Sequence, residues 1–114
     1  MCPLPLPPIA RVTIQENAVK SAQETDPSVD CSRFVLTERL VRRYLSRAKQ
    51  VPRGTGHSQL DWAPCSASGT VLFKNGQSAQ WDISMSRVGW LAFDGKDGET
   101  LYCPKCTDLP DRYR

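Results

Sequence analysis

The stretch Thr70-Val71-Leu72-Phe73-Lys74-Asn75-Gly76-Gln77-Ser78-Ala79-Gln80-Trp81-Asp82-Ile83 decides the fold. Thr70–Lys74 and Ala79–Ile83 read with a period of two, as strands do. Asn75-Gly76 between them is the strongest short hairpin signal, because a two-residue type I′ turn needs positive φ at both positions. Working outward, Gly89-Trp90-Leu91-Ala92-Phe93 is a third strand that ends at Asp94-Gly95. Thr100-Leu101-Tyr102-Cys103 is a fourth, entered through Asp97-Gly98. The expectation is a four-stranded antiparallel β-meander. Trp81 and Trp90 alternate with polar neighbours on adjacent strands, so one can face the core and the other the open face, with the core the favoured place for each. An exposed Trp on an uncovered sheet would be a binding surface.

Upstream, the period changes to that of a helix. Thr37 caps, Glu38 places an anion in the first turn, and Leu36 and Val41 occupy staple positions. Leu40, Val41, Tyr44, Leu45 and Ala48 then share one face, until Pro52 and Gly54 stop the run. The spacing predicts a helix over about residues 38–50 packed on the meander, an α+β layer pair. Residues 1–8 read as a polyproline-like arm, and Ala10, Val12 and Ile14 alternate as one short strand. Glu16–Asp30 is polar and carries the turn signal Asp26-Pro27. The expected organisation is a leader and linker over 1–30, one α+β domain over 31–106 and a tail over 107–114.

At 114 residues and 12.7 kDa there is room for one ordinary domain. With 39% hydrophobic and 24% charged residues the chain is not disordered throughout, and it holds no apolar run that spans a membrane. A single His excludes a His-rich metal site, and no Walker loop, HExxH or GxSxG is present. No catalytic residue is assigned, and the expectation is a non-catalytic protein.

Five cysteines stand at 2, 31, 65, 103 and 106. Cys2 lies in the Pro-rich leader, outside the expected domain. The other four predict two disulfides and an oxidising compartment, with all three pairings open. In a meander the start of the first strand and the end of the fourth share one end of the sheet. Cys65, Cys103 and Cys106 therefore converge there, and Cys31 joins them if the helix begins at that edge. The alternative is structural zinc on Cys31, Cys65, Cys103 and Cys106, or on three of them with His57, since Cys103-Pro-Lys-Cys106 has knuckle spacing. The same CxxC spacing also fits a thiol-redox pair, although no helix follows it. A Cys65–His57 nucleophilic dyad would need a free thiolate, which a disulfide abolishes. The start lacks a basic region followed by a long apolar core, so no intact signal peptide is read there; if the protein is extracytoplasmic, the expectation is a mature form in which Met1 replaces the leader. One version makes Cys2 the lipid-modified first residue of a lipoprotein, and the other makes it an incidental thiol at a trimmed chain end. The expected localisation is periplasmic or outer-membrane-anchored.

The net charge of +3 is too mild to mark a nucleic-acid binder. Its distribution says more. Arg33, Arg39, Arg42, Arg43, Arg47, Lys49 and Arg53 against Glu38 make one stretch +6 and leave the remainder −3. Arg39, Arg42, Arg43 and Arg47 are the expected contacts to an acidic protein surface, with an anionic lipid headgroup as the second fit. No aromatic side chain interleaves with them, which argues against nucleic acid.

The succession CSRFVLTERLVRRYL, HSQLDWAPC, GTVLFKNGQSAQWDI, GWLAFDG and LYCPKC resembles small uncharacterised proteins of Gram-negative bacteria, many of them exported. The shared pattern is CxxFxLTE … HxxxDWxPC … LYCxxC over about residues 31–106. The resemblance implies an exported compact domain and transfers no catalytic residue. Within that class, a specific expectation is an immunity- or inhibitor-like protein.

Overall fold

The computed structural model describes residues 2–3, 6–20, 27–51, 64–106 and 109. Its elements are β1 (Cys2–Pro3), β2 (Ile9–Lys20), α1 (Glu38–Arg47), β3 (Lys49–Val51), β4 (Cys65–Phe73), β5 (Ser78–Ser84), β6 (Val88–Phe93) and β7 (Glu99–Tyr102). The strands form one antiparallel sheet in the order β1-β3-β7-β6-β5-β4-β2, with α1 on one face. The α+β class holds. Among the described residues the sheet has seven strands, more than the four expected.

Three differences from the expectation have physical causes. The expected leader is part of the sheet: β2 runs for 12 residues along β4, and Cys2 and Pro3 pair with Gln50 and Lys49. The helix ends at Arg47, because Ala48 turns extended at φ −65°, ψ 149°. Lys49–Val51 then pairs with β7, which suits the residue before Pro52, a position biased against α geometry. The turn at Asn75-Gly76 is also not type I′. Among the described residues only Ala18 and Arg87 have positive φ outside glycine, so Asn75 does not. Instead Gly76 has φ +89° and its N–H donates to the Phe73 carbonyl at 3.0 Å. This is the three-residue hairpin loop, a type I turn closed by a left-handed glycine.

The helix starts as its sequence dictates, with the Thr37 hydroxyl accepting from the Leu40 N–H at 3.2 Å. Val41, Tyr44 and Leu45 bury against Trp81, Ile83, Leu91 and Leu101 of the sheet and Phe34 and Leu36 of the preceding segment. Each large side chain removed from water contributes roughly 1.5–3 kcal/mol. Trp81 enters this core with its indole N–H donated to the Thr70 carbonyl at 2.9 Å. Gly69 lies under it, and a Cβ there would collide with the Thr13 carbonyl.

The outer edge of β2 is covered. The Val12 N–H donates to Glu38 Oε1, the Arg42 guanidinium donates to the carbonyls of Ile9 and Ala10, and Ala18 N–H donates to the Phe34 carbonyl. Asn17 exchanges two hydrogen bonds with the Leu36 backbone. Covering a long edge strand in this way withholds its backbone from pairing with other chains.

Candidate functional site

The sulfurs gather at one end of the sheet. Met85 N–H donates to the Cys65 carbonyl, and Cys103 N–H donates to the Arg87 carbonyl, which places both cysteines beside the β5–β6 turn. Cys31 is joined to Cys65 and Cys103 to Cys106, each with Cα atoms 5.4 Å apart. All four are buried. A sulfur held in a disulfide supplies no thiolate, so in this state the four do not form the zinc set of the alternative reading. Among the described residues no three His, Cys, Asp or Glu are grouped to hold a metal. His57, Arg53 and Trp62 lie outside the described residues.

Arg87 organises that end. Its backbone is left-handed, at φ +72°. Its carbonyl accepts from the Tyr44 hydroxyl at 2.8 Å as well as from Cys103, and its guanidinium donates to the Pro104 carbonyl at 3.0 Å. Gly89 permits the approach of the phenol, since a Cβ there would lie 2.6 Å from the Tyr44 oxygen. Burial raises the Tyr44 pKa well above the ordinary phenol value, so the hydroxyl remains a donor.

Two surfaces remain as sites. On the helix, the four predicted arginines have different surroundings. Arg42 is committed to the Ile9 and Ala10 carbonyls and lies 3.7 Å from Glu38. Arg43 is half-buried, while Arg39 and Arg47 are exposed. The groove beside them, of about 340 Å³, is walled by Leu6, Pro7, Pro8 and Leu45, and Arg42 in its lining is already engaged with β2.

The second surface is the sheet face away from the helix. The core placement favoured for each tryptophan holds for Trp81, which is 1% exposed, and not for Trp90, which is 40% exposed. The strand registers place Glu16, Ser68, Asp82, Trp90, Thr100 and Val51 in one row across six strands. Thr70, Gln80 and Ala92 form the next row. The Trp90 indole lies against the backbone of Gly98, where a Cβ would overlap it. Asp82 is half-buried, and its pKa is raised above the ordinary value, first by burial and then by the Glu16 carboxylate. Among the described residues no Lys or Arg pairs with Asp82 or Glu16. Sequence reasoning reached Trp90 but missed Glu16, Ser68 and Asp82, because only the register brings them into line.

Comparison of the chain with protein-family models, with curated proteins and with solved structures finds no match in any of the three. Among the described residues no helix is long and apolar enough to cross a membrane.

Proposed function

We propose that this chain is a non-catalytic, extracytoplasmic protein-binding domain of the immunity or inhibitor kind, working through the open sheet face around Trp90. The exposed indole supports this reading most directly. A large aromatic held over backbone, in a shallow field of Ser, Thr and Gln, matches the anchor-and-rim pattern of protein interfaces. Two buried disulfides support an oxidising compartment.

A photo-crosslinking amino acid at Gln80 tests the proposal in cells of the native host. The expected result is an adduct with one protein partner that disappears in Trp90→Ala. Turnover of a small substrate, with no adduct from this face, would overturn it.

A second surface is favoured by a separate observation. Arg39, Arg47 and Lys49 are exposed, and no carboxylate pairs with them among the described residues. An acidic protein surface suits them, with an anionic headgroup next. Replacing Arg39 and Arg47 by Glu should abolish binding of an acidic polypeptide while leaving the Gln80 adduct intact. The zinc or thiol-redox alternative on Cys103 and Cys106 belongs to a reduced chain. Mass measurement of unreduced protein separates it from the disulfide form, which is lighter by four hydrogens.

A further inference from the structure

We infer that Asn75-Gly76, at the tip of the β4–β5 hairpin, is a covalent modification site, where Asn75 converts without an enzyme to aspartate and isoaspartate at a rate limited by opening of the loop. This stands independently of the protein-binding reading above.

The dipeptide that makes the turn also carries the chemistry. Asn75 and Gly76 are exposed, and nothing lies within 4 Å of the point where a Gly76 Cβ would stand. No side chain at position 76 therefore shields its backbone nitrogen from the Asn75 amide. Hydroxide removes the Gly76 N–H proton, and the nitrogen attacks Asn75 Cγ. The N–Cγ bond forms as Cγ–Nδ2 breaks, and Nδ2 takes a proton from water and leaves as ammonia. Water then opens the five-membered imide at one of its two carbonyls. One opening gives aspartate. The other gives isoaspartate, in which the main chain runs through the side-chain carboxyl. The net change is one water consumed and one ammonia released.

The folded loop holds these atoms out of reaction. Asn75 is the third residue of a type I turn, where ψ is about 0° and the next nitrogen points away from Cβ. Cyclisation needs ψ to swing until the Gly76 nitrogen eclipses Cβ. That swing breaks the bond from the Gly76 N–H to the Phe73 carbonyl, 3.0 Å long. It also undoes a side-chain clasp, in which Asn75 Oδ1 accepts from the Gln77 N–H at 2.9 Å and Asn75 Nδ2 donates to Gln77 Oε1 at 2.8 Å. The tip is further tied down by the Lys74 N–H, which donates to the Pro8 carbonyl at 2.8 Å. Reaction thus runs through an opened tip, whose population sets the rate. Asn17 is the internal control, because it precedes Ala18 and both ends of its amide are held by the Leu36 backbone. The hairpin distinguishes the two products. Aspartate suits a turn and keeps an oxygen for the Gln77 N–H, whereas isoaspartate adds a backbone atom to a loop of fixed register. Either one lowers the net charge of +3 by one.

The test incubates the intact protein in mildly alkaline buffer and follows ammonia release, isoaspartate content and the masses of proteolytic peptides. The mass gain of an acid over an amide should be confined to the peptide holding Asn75. Its rate should lie about tenfold below that of the same chain unfolded in urea, the scale of losing turn hydrogen bonds. Asn75→Gln should keep the native spectrum and release no ammonia on this timescale, since its longer side chain closes a six-membered imide far more slowly. Equal rates in the native and unfolded chains overturn the limit set by the loop. A native chain whose Asn75 stays an amide while the unfolded chain converts overturns the site, as does conversion at Asn17 in its place. Ammonia release from Asn75→Gln at the parent rate overturns it too.

Discussion

Asp82 carries a cost that its position explains. Burial and the Glu16 carboxylate hold its pKa above the ordinary 3.8, so the folded chain binds that proton more tightly than the unfolded chain. Stability from this group is therefore full at low pH and is lost as pH rises from the ordinary value through the folded one. Asp82→Asn cannot ionise, so it should gain stability over the parent at neutral pH and lose that advantage near pH 3. Denaturant midpoints at the two pH values check the sign. Tyr44 is the contrasting case, a buried polar group fully used in the fold. Tyr44→Phe removes the hydrogen bond to the Arg87 carbonyl and should lower stability by about 1 kcal/mol in urea unfolding. Gly69→Ala should be worse, by roughly 1–3 kcal/mol, because the added carbon meets the Thr13 carbonyl and the Trp81 ring.

At the scale of elements, the two disulfides should differ in what they contribute. Cys31–Cys65 spans a sequence separation of 34 and Cys103–Cys106 a separation of 3. Loop-closure entropy assigns roughly 3–4 kcal/mol to the first and about 2 kcal/mol to the second. Replacing each pair with Ala and comparing thermal midpoints should give that order. The meander and the capped helix were legible because their signals are local: alternation, Gly at turns, and Thr37 ahead of Glu38. β2 was legible only in its first half. After Ile14 its register shifts twice against β4, and Ala18 adopts φ +54°, so alternation breaks while the strand continues. β3 is 3 residues long, too short to show a period, and it follows an apolar helix face that runs on to Ala48. The sulfur pairing and the Glu16–Ser68–Asp82–Trp90 row are tertiary facts. Neither spacing nor composition encodes a register across six strands. The charge of the helix face marks Arg42 as a partner contact, whereas its carbonyl acceptors lie more than thirty residues earlier in the chain.

For the whole molecule, the sheet separates two surfaces of opposite character. The exposed arginines ride on the helix on one side, and Glu16 and Asp82, unpaired with any Lys or Arg among the described residues, lie in the row of Trp90 on the other. Such a molecule orients in the field of a charged partner, and its association should slow as salt is added. The Cys31–Cys65 bond has a consequence of a different kind. It makes the helix and the chain that follows it part of a covalent ring closed at the foot of β4. One backbone scission anywhere on that ring opens it without separating the products. A protease that nicks between residues 32 and 64 should thus yield a species that migrates as a single band on an unreduced gel and as two after dithiothreitol. The ring lets such a nick pass without shedding the helix from the sheet.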